Sequence, residues 1–315
     1  MNAGSPSLLV ATSLTRKFAE SLAVTDLSLT VDRGQIVGLL GLNGAGKSST
    51  LRMLAGVLVP DSGEITIAGH SLMTHPIAAK TEIGYLPEVA PVYPDMRVDD
   101  YVDFAARLHR VRQSRLRVQE ILKELDLVSV AKRRIAHLSK GFRQRVGIAQ
   151  ALVHRPGLII LDEPSSGLDP EQMREMRDLV RHLGSSCGVI FSSHLLGEVN
   201  EICTDVAVLH QGRVVHDSPL ASEGDRVHYR VGFARPVQPA ALDALETVAS
   251  ARALTSTMLS VQPAGNSSAT SADQLLQSLV QSGYPVVEFS ADGSSLEQLF
   301  SSLVRAGDRP VSTAA

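Results

Sequence analysis

A glycine-rich segment that follows a short apolar run constrains the fold of this chain more than any other feature. The run is Ile36–Leu40, and the segment reads Gly41-Leu-Asn-Gly-Ala-Gly46-Lys47-Ser48, which matches the pattern G-x-x-x-x-G-K-[ST]. Glycines let backbone N–H groups turn inward around a phosphate chain, and the helix that follows adds positive potential at its N-terminus. The segment therefore predicts a nucleotide site between a strand and a helix. The predicted contact residues are Gly41, Leu42, Asn43, Gly44, Ala45, Gly46, Lys47, Ser48 and Ser49.

Two adjacent acids form a second predicted centre. Asp162 and Glu163 follow the apolar run Leu158–Leu161, at the carboxyl end of a strand, where ligands of α/β sheets bind. Lys47 is predicted to reach the β- and γ-phosphates, and the Ser48 hydroxyl to ligate Mg²⁺. Because successive residues at a strand end diverge, we assign Asp162 to the magnesium shell and Glu163 to orienting or deprotonating the attacking water. The alternative is a strand that simply ends in solvated acids.

Charge and composition exclude several classes of protein. The 30 Lys plus Arg against 33 Asp plus Glu give a formal net charge of −3, which argues against a surface built wholly for nucleic acid. The 44% hydrophobic and 20% charged residues exclude wholesale disorder. Cys187 and Cys203 form neither a CxxC pair nor a disulfide framework, which favours a reducing cytosol. Since no apolar run reaches the roughly 18 to 20 residues that span a bilayer, we expect no channel in this chain.

Apolar runs alternate with periodic helical segments up to about residue 217, a pattern typical of α/β proteins. The predicted helices include Ser48–Leu58 and residues 170–183, the second N-capped by Asp169 with Gln172 placed to complete a capping box. Two polar helices rich in arginine are predicted between residues 95 and 135. The predicted strands are Ile36–Leu40, Glu64–Ala68, Leu158–Leu161, Gly188–Phe191 and Val206–His210.

A small α+β domain is predicted from residue 218 to 315. A Gly/Ser/Ala/Thr loop, Ala264–Ala272, separates two of its elements, and the tail from about residue 307 is expected to be flexible. Nothing in this domain names a ligand; homodimerisation is the default interpretation and a regulatory sensor the alternative. Its predicted elements are strand Arg226–Phe233, helix Ala240–Ala249, strand Met258–Gln262, helix Ala272–Ser282, strand Pro285–Phe289 and helix Ser295–Val304.

A third motif, Leu138-Ser-Lys-Gly141-Phe-Arg-Gln, opens a helix that runs to Leu152. Ser139 and the amide of Gly141 stand at the N-terminus of that helix, which predicts a second anion site. Together with the glycine loop and the acid pair, this segment resembles the ATP-binding subunits of ABC transporters over residues 8–217. The resemblance implies an α/β P-loop NTPase fold for residues 1–217, an ABC cassette with a mostly parallel core sheet, an antiparallel β subdomain and an α-helical insert at about 88–155. The small α+β domain follows it.

The resemblance also implies further site residues. Ser139 and Gly141 would complete the ATP pocket of a second subunit, so that ATP lies between the two cassettes. Ser166-Gly-Leu-Asp169 resembles the loop that crosses this interface, although Asp169 is also a helix N-cap. His194 matches the switch histidine that contacts the γ-phosphate, and Phe18 matches the aromatic residue that stacks on adenine. A structural histidine at a strand end and a core phenylalanine are the ordinary alternatives.

Three positions depart from the family pattern. Lys140 and Phe142 stand where the family commonly has the third and fifth residues of Leu-Ser-Gly-Gly-Gln. Lys140 would add positive charge near the γ-phosphate of the opposed ATP. Glu88 replaces a glutamine that usually contacts magnesium and the attacking water, and it keeps an oxygen ligand while losing the amide donor. The motif versions with Glu88 and Lys140, together with a C-terminal extension that ends in Leu296-Glu-Gln-Leu-Phe300, look like the branch of single-cassette subunits that serve exporters.

The function that the resemblance implies is Mg²⁺-dependent ATP hydrolysis that powers transport. The chain would dimerise with a second ATP-binding subunit, as a homodimer or heterodimer, with Glu163, His194 and Lys47 catalytic. It would dock on separately encoded transmembrane permease subunits at the cytoplasmic face of the cell membrane, with Glu88–Asp103 receiving their coupling helices. ATP and Mg²⁺ are the expected cofactors, and no nucleic acid is expected.

The alternative is a soluble ABC-type ATPase that acts on the ribosome or on nucleic acid. One arginine-rich stretch favours it. Interleaved acids and scarce aromatic residues favour a solvated helical face instead. The basic residues of the stretch are Arg107, Arg110, Arg112, Arg115, Arg117, Lys132, Arg133 and Arg134.

Overall fold

The computed structural model describes residues 7–19, 21–220, 228–264, 268–291 and 300. The chain divides into two compact units, Met1–Ser218 and Pro219–Ala315. Within the described ranges, no helix combines the length and the apolar character that a membrane crossing requires. The predicted helix Ser295–Val304, apart from residue 300, and the tail from about residue 307 lie outside the described residues.

The strands of the first unit form two sheets. They are β1 Leu9–Phe18, β2 Ser21–Val31, β3 Ile36–Gly41, β4 Ser62–Ile67, β5 His70–Ser71, β6 Ile83–Leu86, β7 Leu158–Leu161, β8 Gly188–Ser193, β9 Asp205–His210 and β10 Arg213–Pro219. One sheet has the order β2-β1-β4-β5, and its neighbouring strands pair antiparallel. The other has the order β10-β9-β3-β8-β7-β6, with parallel pairing from β9 through to β6. This is the predicted α/β fold class, a mostly parallel core sheet with an antiparallel subdomain.

The core sheet is buried on both faces, which explains its continuous apolar strands. Along β7, Ile159 and Leu161 join the side-chain cluster that contains the helices of the insert, whereas Leu158 and Ile160 join the cluster beneath the antiparallel sheet. Side chains alternate between the two faces of a strand, so each apolar residue finds a core on its own side. All four are fully buried.

Seven helices are assigned among the described residues of this unit. They are α1 Lys47–Leu54, α2 Pro76–Thr81, α3 Val98–Leu108, α4 Ser114–Glu124, α5 Lys140–Leu152, α6 Pro170–Gly184 and α7 Leu196–Ile202. Helix α1 ends at Leu54 rather than at the predicted Leu58, because Gly56 follows with a φ of +66°, the left-handed conformation that commonly ends a helix. Helix α6 begins as predicted, with Asp169 accepting hydrogen bonds from the backbone N–H groups of Glu171 and Gln172.

Among its described residues, the second unit pairs a four-stranded antiparallel sheet with two helices. Its elements in chain order are β11 Tyr229–Phe233, α8 Pro239–Leu242, β12 Val248–Ala253, β13 Met258–Pro263, α9 Ser268–Gln281 and β14 Val286–Ala291. The sheet order β12-β13-β11-β14 with this βαββαβ sequence is ferredoxin-like. The predicted helix Ala240–Ala249 is wrong beyond Leu242, where α8 ends. Val248 is 7% exposed in a strand whose other residues are more open, and pairing with β13 overrides the helical propensity of the alanines.

Two histidines stack between α3 and the end of α5. The rings of His109 and His154 lie parallel, 3.8 Å between centroids. Nε2 of His154 donates a hydrogen bond to the carbonyl oxygen of Ile83 at 3.0 Å. Burial, and after it repulsion from His109, lowers the pKa of His154 from 6.5 to about 4. Burial also lowers the pKa of His109. Both rings are therefore neutral in the folded protein near neutral pH.

This stack makes stability depend on pH. The unfolded chain takes up a proton at His154 that the folded chain refuses, so the free energy of unfolding falls as the pH drops from about 6.5 towards 4. Urea unfolding midpoints between about pH 5 and 7 should decline with acidification, and His154→Gln should flatten that decline. The exposed His182→Gln is the control. An unchanged pH slope in His154→Gln contradicts the assignment.

Candidate active site

The glycine loop after β3 is enclosed by backbone atoms. A Cβ on Gly46 would lie 2.4 Å from the carbonyl oxygen of Ala23, and one on Gly41 would lie 2.6 Å from that of Leu209. Gly46 also has a φ of +102°, which side chains disfavour by about 1–2 kcal/mol. Only glycine fits at either position without displacing the backbone, so the loop conformation is built into the sequence.

Lys47, the first residue of α1, folds its side chain back over this loop. Its ammonium group donates hydrogen bonds to the carbonyl oxygens of Gly41 and Leu42, at 2.7 and 3.5 Å. Nζ also lies 3.6 Å from Oε1 of Glu163. The lysine is only 7% exposed. A buried cation thus stands at the centre of the loop, held by two carbonyl oxygens and one carboxylate.

The two acids after β7 have different environments. Asp162 is 1% exposed, and its Oδ1 accepts hydrogen bonds from the hydroxyls of Ser192 at 2.9 Å and Ser48 at 3.4 Å. Glu163 turns the other way, and its backbone N–H donates to the same Ser192 hydroxyl at 2.8 Å. Its φ of +47° is a left-handed conformation uncommon outside glycine and typical of functional sites. The two carboxylates therefore diverge at this strand end.

Glu163 also joins the residue that follows β8. Nδ1 of His194 lies 2.8 Å from Oε2 of Glu163, and an ionised carboxylate only accepts hydrogen bonds, so the imidazole N–H is the donor. Glu163 is thus held between Lys47 on one oxygen and His194 on the other. His194 is half exposed while Glu163 is 13% exposed. The structure brings these three predicted catalytic residues together.

A cavity of about 450 Å³ lies over these groups. Glu88 lines it from the segment after β6, although its side chain is otherwise exposed. Gly41, Ala45 and Asp162 do not line it, because they are buried. The lining residues are Ala23, Leu42, Asn43, Gly44, Gly46, Lys47, Ser48, Ser49, Glu88, Glu163, Ser166 and His194.

Phe18 lies apart from this cavity, at the end of β1. It is 45% exposed, and the guanidinium of Arg16 covers one face of its ring, 5.1 Å from the centroid. Arg16 is held in turn by an ion pair with Asp61 at 2.7 Å. The ring therefore presents one open face, in the manner of an aromatic platform.

Ser139, Gly141 and Asp169 line a second cavity, of about 490 Å³. Ser139 caps α5, its hydroxyl accepting from the backbone N–H of Phe142 at 3.4 Å. Half of the predicted capping box forms at α6, where the side chain of Asp169 accepts a hydrogen bond from the backbone N–H of Gln172. The side chain of Gln172 packs against Gly141, with its Oε1 2.6 Å from the position that a Cβ of Gly141 would take. The glycine therefore lets the starts of α5 and α6 pack closely.

Ser192 is the functional residue that the sequence prediction missed. It bridges the side chain of Asp162 and the backbone of Glu163 and so orients both acids. The predicted strand Gly188–Phe191 stopped one residue short of it, whereas β8 continues to Ser193 with every residue buried. The sequence signal that could have identified it is the pair of serines between an apolar run and a histidine.

The fold and the site define a nucleotide-binding protein of the P-loop class. A glycine loop leads from the central parallel strand β3 into α1, and β7, two strands away in the same sheet, delivers Asp162 to the hydroxyl of Ser48.

Comparison with known proteins narrows the class. The family model for ABC transporters matches residues 24–166. The ABC transporter ATP-binding protein NatA of Bacillus subtilis (strain 168) is 34% identical over 223 residues, 68% of this chain and 91% of that protein. The bacitracin transport ATP-binding protein BcrA of Bacillus licheniformis is 33% identical over 216 residues, 68% of this chain and 70% of that protein. A solved ATP-binding subunit of an ABC transporter superposes with a TM-score of 0.63 at 30% identity, over 69% of this chain and 91% of that one.

The chain belongs to the ABC transporter ATP-binding protein family. It is an ATP-binding and ATP-hydrolysing subunit of a membrane transport system. The alternative, action on the ribosome or nucleic acid, loses support as well, because several of the basic residues that favoured it are ion-paired. Arg107 pairs with Asp103, Arg117 with Glu120 and Glu124, and Lys132 with Asp99.

The backbone packing at Gly46 makes a prediction about nucleotide affinity. Gly46→Ala must displace the carbonyl of Ala23 and strain its own φ, so we expect ATP affinity to fall at least about tenfold, measured by calorimetric titration. Gly69→Ala is the matched control, because Gly69 has a φ of +81° and open space around its Cβ position, and it lies outside the cavity. Equal affinities in the two variants contradict the prediction.

Proposed function

We propose that this chain hydrolyses ATP in a symmetric pair of cassettes and drives export through a separate membrane-spanning partner. The observation that carries the proposal is the convergence of Lys47, Glu163 and His194 on one cavity. The loop amides and Lys47 bind and neutralise the β- and γ-phosphates. Glu163 accepts the proton of the attacking water, and His194 donates to the γ-phosphate from its exposed position.

Magnesium fits the oxygen groups under the loop. The Ser48 hydroxyl and Oδ1 of Asp162 face each other at 3.4 Å, and Mg²⁺ prefers such hydroxyl and carboxylate oxygens. Glu88 supplies a further carboxylate at the cavity wall. When bound with ATP, the ion supplies neutralisation of phosphate charge. Ser192 holds Asp162 in place for this role, and Asp162 remains too buried to act as a base.

The second subunit is expected to complete the site. Ser139 and Gly141 open the helix α5 and line a cavity other than the one with the glycine loop. Within one chain, therefore, the segment of Ser139 and Gly141 and the glycine loop do not share a single pocket. This separation supports a role for Ser139 and Gly141 towards the ATP of a partner copy. Asp169 lines the same second cavity, and Ser166 lines the first. The loop that contains both would cross the interface.

Glu163→Gln tests the hydrolytic assignment. The amide keeps the shape of the side chain but cannot accept a proton, so turnover should fall by about 10²–10⁴-fold while ATP binding persists. ATP should then hold the variant as a dimer, visible as a doubling of mass by light scattering after gel filtration.

Glu64→Gln is the control for this experiment, since Glu64 is an exposed acid on β4. It should hydrolyse ATP like the wild type and return to its initial mass once ATP is consumed. Undiminished turnover in Glu163→Gln would show that another group is the base.

An apolar groove of about 330 Å³ is the proposed docking site for the membrane partner. It lies between the end of α1 and the helical insert. Exposed apolar side chains stand in and around it, among them Val57 at 65% and Val89 at 81% exposed. Apolar side chains grouped in this way differ from the single apolar residues scattered over an ordinary surface. Glu88 lines the nucleotide cavity, while Pro87 and Pro91 line the groove. One short segment thus adjoins both sites, so docking and hydrolysis can be coupled through it.

Val57→Glu tests this groove. A charge in the apolar contact should abolish co-purification with the proposed membrane partner, when both are expressed together and extracted in detergent. Thermal melting checks that the variant is folded. Val128→Glu is the control, because Val128 is 59% exposed and lies outside the groove. Retention of the partner by Val57→Glu would exclude this groove as the docking site.

Export and the peripheral position at the cytoplasmic face of the membrane remain parts of the proposal. Two relatives support export by their names, one for bacitracin transport and one for daunorubicin resistance. We assign the ferredoxin-like second unit an accessory role, with self-association as the first interpretation. Removal of residues after Val215 with unchanged ATPase and transport would show that the unit has no regulatory part.

A further inference from the structure

Two successive serines at the end of β8 act on opposite sides of the strand. Ser192 bonds to the acid pair, whereas the hydroxyl of Ser193 donates to Oε2 of Glu198 at 2.7 Å and accepts the backbone N–H of Leu195 at 3.0 Å. His194 stands between Ser193 and Leu195. The turn that presents the histidine is therefore closed by one hydroxyl and one carboxylate.

Glu198 is unusual for a charged residue in a short surface helix. It is 5% exposed, and acids are rarely buried to this degree without full pairing. Its second oxygen, Oε1, is buried with no hydrogen-bond partner in the part of the chain that the structure describes. Leaving a buried acceptor unsatisfied is destabilising. A leucine or methionine would pack there without that cost, so stability alone does not account for the acid.

The ordinary explanation is an acid that favours the start of α7. Glu198 stands in the first turn of that helix, where negative charge is stabilising. An exposed acid would serve that purpose equally, however, and Leu195 at the N-cap makes no side-chain cap hydrogen bond. The carboxylate is instead directed back to the strand residue next to His194.

We propose that Glu198 is a positioning residue, which fixes through Ser193 the place of His194 beside Glu163. The inference rests on the catalytic role proposed above for His194. Ser193 is 1% exposed, so its hydroxyl has a fixed direction, and the bond to Glu198 determines the path of the turn. His194 itself is half exposed, and within the described part of the chain Glu163 is its one side-chain hydrogen-bond partner. Its position therefore depends on the backbone that carries it.

Steady-state ATPase kinetics of the full chain test this inference. Glu198→Ala removes the acceptor of Ser193, and displacement of a catalytic group by a fraction of an ångström should lower kcat about tenfold with little change in KM for ATP. Glu198→Gln should restore most of kcat, because its amide oxygen still accepts from Ser193. The matched control is Glu201→Ala on the same helix, an exposed acid paired with Arg177, with kcat expected within about twofold of the wild type.

A double variant separates positioning from general destabilisation. In a His194→Ala background, Glu198→Ala should cause no further loss of kcat, since the residue that it positions is absent. An equal loss with and without His194 overturns the inference and leaves the role of His194 intact. Wild-type kcat in His194→Ala overturns the proposed role of His194 itself.

Nuclear magnetic resonance gives a second readout that does not depend on turnover. The ring signals of His194 should shift in Glu198→Ala, because the ring is displaced, and return towards the wild-type positions in Glu198→Gln. Identical His194 signals in wild type and Glu198→Ala would overturn the inference.

Discussion

The parallel register of the core sheet is the constraint on which the site depends. Leu40 of β3 pairs with Ser193, and Leu161 of β7 pairs with Phe191, so the three strands end at one edge. The glycine loop, the acid pair and His194 follow these ends and cannot be moved independently. Because the strands are buried on both faces, a shift in register would move apolar side chains out of both cores. The packing of the sheet thus sets the distances between the glycine loop, the acid pair and His194.

Local sequence patterns predicted much of this arrangement because the relevant residues are adjacent in the chain. The loop, its lysine and the acids after β7 belong to short motifs whose geometry is largely local. Ser192 escaped prediction because packing brings it to Asp162, which is thirty residues away in the chain. Glu198 is only five residues from its partner Ser193, but its burial depends on how α7 packs. The helix predicted across Val248 failed for a similar reason, since pairing with β13 decides the conformation of that segment. The groove beside Pro87 needed the fold as well.

The proposed function assigns the two cavities of the first unit to the two sides of one ATP site. Lys47 and Glu163 line the first cavity, whereas the capped start of α5 lines the second. Gly141 and Gln172 pack the second site tightly, and the side chain of Lys140 lies against Gly167, where an added Cβ would be 2.4 Å from its ammonium. The departures from the common family motif are thus accommodated by contacts within the chain.

The backbone enclosure of the glycine loop has a consequence for how this protein can vary. Carbonyl oxygens of Ala23 and Leu209 surround the loop, and a carbonyl is the same in every residue. Replacing the side chain of Ala23 or Leu209 leaves these carbonyl oxygens in place, whereas a side chain added to Gly41 or Gly46 must push them aside. The wall of the pocket can therefore change its side chains while the loop has to keep its glycines.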